Sequence, residues 1–151
     1  MKKFAFKLDS LLKLRTNQRD KCQQLLAEVV RRDDELAHTQ RETEKDRRAQ
    51  IDELRSLGGG GGVNVDASVS RRSYAGQLSG SIGYIEADRT TLRRQIELCR
   101  QALIRADQAV KSLEKLAEQQ RTEFVYTQER VESRELEQTW QAIHAGERLG
   151  P

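Results

Sequence analysis

The side chains best suited to catalysis or metal binding are two histidines and two cysteines, His38, His144, Cys22 and Cys99. A metal site or a nucleophile–base pair needs several such groups brought together in a recognisable pattern. The histidines lie far apart, and neither belongs to a motif with a cysteine or a carboxylate. The cysteines lack metal-ligand spacing and fall on apolar helical positions, which favours small core residues. The sequence therefore predicts no catalytic residue, no cofactor and no metal.

The glycine run 58–62 is the segment closest in composition to a phosphate-binding loop. Such a loop needs a Lys-Ser/Thr pair after the glycines and a strand before them, and both are missing here. The many carboxylates are interleaved with arginines, a pattern typical of solvated helix faces. We therefore expect a protein that is not an enzyme, and we interpret the glycine run as a tolerant turn.

The composition favours long helices over a thick globular core. Of 151 residues, 36% are hydrophobic and 34% are charged, and the single proline is Pro151. Too few large apolar side chains exist to surround one another, but enough exist for a narrow seam along each helix. No stretch approaches the ~20 apolar residues that cross a bilayer. The basic start has no apolar run that would make a signal peptide, so we expect a cytoplasmic protein without membrane insertion.

Nucleic-acid binding is considered because the sequence pI is about 9.0. Paired arginines recur, but each pair is offset by nearby acids, and no basic stripe or aromatic stacking platform accompanies them. The arginine pairs lie at 31–32, 47–48, 71–72 and 93–94. We interpret them as solvated helix faces and expect no nucleic-acid partner.

The second half of the chain carries a sustained heptad pattern. Steps of four and three residues from Leu78 meet an apolar side chain at thirteen of seventeen positions. This spacing is typical of a coiled coil and differs from the period of two expected for a strand. The seventeen positions are Leu78, Ile82, Ile85, Arg89, Leu92, Ile96, Cys99, Leu103, Ala106, Val110, Leu113, Ala117, Gln120, Phe124, Thr127, Val131 and Arg134.

The apolar frame shifts after Val131, where Leu136, Trp140 and Ile143 form a displaced seam. The second helix is expected to overrun the first here, so these three side chains would lack an intramolecular partner. A large exposed apolar surface of this kind indicates a docking site.

The first half has a weaker seam, and from residue 38 to 50 its only apolar residue is Ala49. We expect that stretch to be helical but loosely held. The predicted seam positions are Leu8, Leu11, Arg15, Gln18, Cys22, Leu25, Val29, Arg32, Leu36, Thr39, Thr43 and Leu57, with Leu12, Leu26, Val30, Ile51 and Leu54 beside them.

Together these patterns predict an all-α fold, a long antiparallel two-helix coiled-coil hairpin, as a single domain over residues 1–151. Helix 1 is expected at about 5–57, a glycine-rich turn at 58–72, and helix 2 at about 73–146, frayed until about residue 84. Setting Leu57 level with Tyr74 places Phe4 near Thr127.

The chain resembles the flagellar export protein FliJ family. Phe4-Ala5-Phe6-Lys7-Leu8, running into Leu11-Leu12-Lys13-Leu14-Arg15, is similar to the family's Phe-x-Phe-x-Leu and Leu-Leu-x-Leu-Arg opening. The segment 111–116 and the residues Glu129 and 134–137 are similar to its Lys-x-Leu-Glu-x-Leu stretch and its acidic ending.

The resemblance implies a non-catalytic stalk and chaperone of type III export at the cytoplasmic face of the inner membrane, monomeric when isolated. The implied partners are the hexameric export ATPase, the membrane export gate protein and export chaperones. The implied contact with the ATPase ring is formed by Phe4, Phe6, Leu8, Leu11, Leu12, Arg15, Leu136, Trp140 and Ile143. The implied contact with the export gate is formed by Tyr74, Leu78, Ser81 and Ile85.

Three other functions are kept open by the residues themselves. The first is the equivalent stalk of a virulence-type secretion system, which the sequence does not distinguish well from the flagellar one. A structural coiled coil that self-associates through its heptads would form a stable dimer. A nucleic-acid-binding helical hairpin would show sequence-dependent affinity.

Overall fold

The computed structural model describes residues 2–58 and 65–148 and contains two helices and no strand within those ranges. Helix α1 spans Asp9–Leu57, and helix α2 spans Val65–Arg148. The two helices pack against each other antiparallel, which confirms the predicted coiled-coil hairpin.

Both predicted helix starts differ from the structure. Helix α1 begins at Asp9 and not at about residue 5, with the N–H of Leu12 donating to the carbonyl oxygen of Leu8 at 2.9 Å. Asp9 places a negative charge at the positive end of the helix dipole and pairs with Lys13 at 3.2 Å. Helix α2 already begins at Val65, so the predicted turn at 58–72 was too long. Four of the five glycines in the run, 59–62, lie outside the described residues.

The expected fraying before residue 84 is also absent, since α2 is continuous through Gly76, Gly80 and Gly83. A Cβ added at any of these glycines would meet nothing within 4 Å. Each glycine costs a helix about 1 kcal/mol relative to alanine, but propensity is a weak term beside packing. Arg71, before the glycines, forms an ion pair with Glu53 of α1. An exposed pair adds little, and the larger contribution comes from burial of Leu78 and Ile82, which lie among the glycines.

The chain divides into two compact units, and both helices contribute to each. The terminal unit consists of Met1–Arg19 and Arg105–Pro151, and the turn unit consists of Asp20–Ile104. In the terminal unit the ring of Phe4 lies against Phe124, three residues before the predicted neighbour Thr127. In the turn unit Tyr74 contacts Asp46, eleven residues before the predicted neighbour Leu57. The predicted register was wrong because helix α2 starts earlier than expected.

The predicted seam of α2 is confirmed from Leu78 to Phe124, where every seam position is buried or half-buried. Ile82 and Ile96 are buried in the turn unit. Val110, in the terminal unit, has 0% of its surface exposed. The last three predicted positions, Thr127, Val131 and Arg134, are exposed, so the seam ends at about Phe124.

The predicted seam of α1 was partly wrong. Six of its positions are exposed, namely Leu8, Arg15, Gln18, Leu25, Arg32 and Thr39. The half-buried positions of α1 instead include Thr16, Arg19, Leu26, Asp33 and Gln40. The α2 seam contains Arg89, whose guanidinium needs acceptors when it is shielded from water. In the turn unit, α1 is turned so that polar side chains, and not only leucines, face α2.

Two further features bear on function. Cys22 and Cys99 are free thiols and half-buried, as expected of small seam residues. Neither α1 nor α2 has a stretch long and apolar enough to cross a membrane.

Candidate functional site

The turn unit contains a shielded polar cluster between its helices. Arg89 donates from Nε to Asp33 Oδ1 at 3.0 Å and from a terminal nitrogen to Gln40 Oε1 at 3.0 Å. Gln40 in turn donates from Nε2 to Glu86 Oε1 at 3.3 Å. The side chains of Arg89 and Asp33 are 20% and 15% exposed. The hydrogen bond with Asp33 raises the pKa of Arg89, because it stabilises the charged guanidinium.

These hydrogen bonds join α1 to α2 and set the register of the two helices in the turn unit. Because its polar groups bond to one another, the cluster is structural. The sequence places Arg89 at a seam position but does not reveal its partners Asp33 and Gln40. The available signal was the arginine itself, because a charged residue at a seam position requires an opposing acceptor. Within the described ranges, no group of three His, Cys, Asp or Glu side chains could hold a metal ion.

The predicted gate-contact residues lie along α2 in the turn unit. Tyr74 is 42% exposed, and its hydroxyl donates to Asp46 Oδ2 at 2.8 Å. That hydrogen bond raises the pKa of Tyr74, because it stabilises the protonated phenol beside a carboxylate. Ser81 is exposed, whereas Leu78 and Ile85 are half-buried seam residues. Tyr74 and Ser81 are therefore the members most accessible to a partner.

The predicted ring-contact residues near the N-terminus pack within the terminal unit. The rings of Phe4 and Phe124 are 5.7 Å apart at an angle of 50°, and the Arg121 guanidinium lies 5.8 Å from the Phe4 centroid. Phe4, Phe6, Leu11 and Leu12 are half-buried, while Leu8 and Arg15 are exposed. Phe4 anchors the N-terminal segment on α2. Most of the predicted ring-contact residues of this segment therefore stabilise the terminal unit, and little of their apolar surface remains for a partner.

The predicted ring-contact residues near the C-terminus are exposed. From Val131 to Ile143 every residue of α2 is exposed, and Leu136, Trp140 and Ile143 are exposed by 72%, 60% and 58%. Their spacing of four and three residues places them on one side of the helix. The indole of Trp140 stacks on the imidazole of His144, with ring centroids 3.9 Å apart at 26°. His144 Nδ1 also lies 3.0 Å from the carbonyl oxygen of Trp140.

Two packed helices with a row of exposed apolar side chains define the class as a coiled-coil protein with surfaces suited to docking. A family model described as "Flagellar FliJ protein" matches residues 4–139. The chain therefore belongs to the FliJ family, whose members are non-enzymatic components of flagellar export, and it is a coiled-coil component of that process. No curated protein and no solved structure matches the chain.

Proposed function

We propose that this chain is the stalk of the flagellar type III export ATPase, and that its terminal unit binds the ATPase hexamer. The observation that supports this most is the exposed row Leu136, Trp140 and Ile143 at the end of α2. Tryptophan is among the residues that most often contribute binding energy at protein interfaces, and Leu136 and Ile143 add apolar surface beside it. Membership in the FliJ family indicates flagellar export as the process in which the partner is sought, and the ATPase is the partner that the sequence resemblance implies.

The role proposed for the stalk is mechanical and not chemical. The ATPase hydrolyses ATP, and the stalk couples that cycle to the export gate at the cytoplasmic face of the inner membrane. Export chaperones are further proposed partners. The proposed gate contact uses Tyr74, Leu78, Ser81 and Ile85 on α2 of the turn unit.

The ring contact is tested by capturing the purified export ATPase of the same organism on the immobilised full chain. Trp140→Ala is expected to weaken capture by at least about tenfold, since truncation of an interface tryptophan commonly costs about 2 kcal/mol or more. The matched control is Leu98→Ser, a similarly exposed apolar residue of the turn unit. Equal capture of the native chain and both variants would reject this contact.

The gate contact is tested with the soluble part of the gate protein. Ser81→Arg places a large charged side chain among the proposed contact residues and is expected to abolish binding. Gln101→Arg, at another exposed position of α2 in the turn unit, provides the control. If both variants bind like the native chain, the gate partner contacts a different surface.

Analytical ultracentrifugation, which measures the oligomeric state, distinguishes the stalk from the alternative of a self-associating structural coiled coil. The stalk function requires a chain that is monomeric at micromolar concentration. A stable homodimer that does not bind the ATPase would favour the structural alternative.

A further inference from the structure

The exposed row at the end of α2 is flanked by acidic residues. Glu132 lies four residues before Leu136, Glu129 lies seven before it, and Glu147 lies four after Ile143. These spacings place all three carboxylates on the same side of the helix as the apolar row. We call Leu136, Trp140 and Ile143 with these three glutamates the Trp140 face. It extends over roughly 27 Å of helix.

The arginines of this segment lie elsewhere around the helix. Arg130 has its guanidinium 5.8 Å from the ring centroid of Tyr126. Arg134 precedes Leu136 by two residues, which places it on roughly the opposite side of the helix. Every residue from 129 to 143 is exposed, so the negative charge of the Trp140 face is open to a partner.

We propose that the Trp140 face docks on a basic amphipathic helix of a partner protein, with apolar side chains meeting Trp140 and lysines or arginines meeting the glutamates. The identity of the partner as the export ATPase rests on the proposed function. The chemistry of its docking surface follows from the charge complementarity of the face itself.

A second copy of this chain does not suit the face. In an antiparallel pairing centred on the apolar row, Glu132 would lie opposite Glu147 of the second copy. In a parallel pairing, each glutamate would lie opposite its own equivalent. Like charges in such positions oppose association.

An anionic lipid surface does not suit it either. Helices that lie on membranes place lysine and arginine beside their apolar face, because anionic headgroups attract positive charge. The Trp140 face places glutamates there, so it would be repelled.

The stack with His144 prepares the tryptophan for binding. With the indole held against the imidazole at 3.9 Å, Trp140 has fewer conformations to lose when a partner covers it. The stack does not cover the residue, which stays 60% exposed.

The test uses the full chain and two synthetic tryptophan-free helical peptides labelled with fluorescein. The first is a Lys/Leu amphipathic peptide, and the second has the same leucine pattern with glutamate in place of lysine. Binding is followed by fluorescence anisotropy at physiological salt. Because Trp140 is the only tryptophan of the chain, its emission reports separately whether that side chain is covered.

We expect the lysine peptide to bind with a blue shift of the Trp140 emission, and the glutamate peptide not to bind. The triple variant Glu129→Gln, Glu132→Gln and Glu147→Gln should bind the lysine peptide about tenfold more weakly, as three exposed pairs each contribute a fraction of that factor. A matched triple in the turn unit, Glu42→Gln, Asp52→Asn and Glu97→Gln, should change binding less than about twofold. The net charge of +3 gives the basic peptide no general attraction to the chain.

Several results would overturn the proposal. These are equal binding of the two peptides, equal binding of the lysine peptide to the native chain and the first triple variant, or binding of the chain to anionic vesicles with a shift of the Trp140 emission. A homodimer that is lost in Trp140→Ala would overturn it in favour of a second copy.

The same variants separate this inference from the proposed function. If the lysine peptide binds as expected but the export ATPase is not captured, only the ATPase assignment fails. If the ATPase is captured through Trp140 but equally well by the first triple variant, the basic docking surface is rejected and the stalk function stands.

Discussion

The polar cluster of the turn unit makes Asp33→Ala a strongly destabilising change. The substitution removes the carboxylate that accepts from Arg89 Nε at 3.0 Å and leaves the guanidinium with Gln40. The pair is shielded, since Arg89 and Asp33 are 20% and 15% exposed. Its loss should therefore cost more than the ~0.2–1 kcal/mol of a surface pair but less than the ~3–5 kcal/mol of a fully buried one.

The expected cost is about 2 kcal/mol, the usual value for a hydrogen bond to a charged group. For a chain of this size, a loss of about 2 kcal/mol lowers the melting temperature by roughly 4–8 °C. The melting temperature is measured by circular dichroism at 222 nm. Asp52→Ala is the control, because Asp52 is an exposed aspartate of the same helix and the same gain in helix propensity applies. Equal melting temperatures for the two variants would refute the structural role of the cluster. A double variant with leucine at both Asp33 and Arg89 should recover the lost stability, since apolar replacement of a shielded pair is often neutral or favourable.

Three other predictions follow from single side chains. Val110→Ala should lower the free energy of unfolding by about 2 kcal/mol in urea titrations, because Val110 is 0% exposed, whereas Val125→Ala should stay within about 0.5 kcal/mol. Gly80→Ala should raise the melting temperature, since its Cβ meets nothing within 4 Å and alanine is favoured in a helix by about 1 kcal/mol; a lower melting temperature would mean that the glycine has a packing role. The pKa of Tyr74 should be higher in the native chain than in the Asp46→Asn variant. Ionisation is followed by absorbance at 295 nm in chains whose other tyrosines are changed to phenylalanine. Because the folded-state pKa of Tyr74 is raised, this contribution to stability is complete at neutral pH and is lost as pH rises through that pKa; an identical titration in both variants would contradict the hydrogen bond.

The α2 seam could be predicted from sequence because apolar residues at steps of four and three leave one consistent face. The α1 seam could be predicted only in part: Val29 and Leu36 are buried or half-buried as expected, but spacing alone does not show that Asp33 and Gln40 face α2 as acceptors for Arg89. The apolar pattern favoured Leu25, which is 52% exposed, over Leu26, which is half-buried. Arg89 is shielded and pairs with α1, whereas Arg15 and Arg32, which also occupy predicted seam positions, are exposed, so a charge in the seam does not by itself fix helix rotation.

The turn is shorter than the glycines alone predict. Helix α2 begins at Val65 and passes through Gly76 and Gly80. Burial of the seam residues that lie among the glycines, such as Ile82, outweighs the low helix propensity of the glycines. This burial depends on the paired helix, which a local sequence pattern does not include.

The exposed row at the end of α2 was visible in the sequence as a shift of the apolar frame after Val131, and the structure leaves Leu136 and Trp140 exposed as expected. The family resemblance also assigns Phe4 and Phe6 to the ring contact. In the structure Phe4 packs on Phe124, because an aromatic pair within the terminal unit shields both rings from water.

The most direct test of the central claim is photo-crosslinking in the living cell, with a photoreactive amino acid at position 143, beside an unaltered Trp140, and a second chain labelled at position 98 as the control. The account predicts a crosslink from position 143 to the export ATPase that disappears in Trp140→Ala and is absent from position 98. A crosslink from position 143 to another copy of this chain, or to no protein in cells that are exporting flagellar subunits, would contradict it.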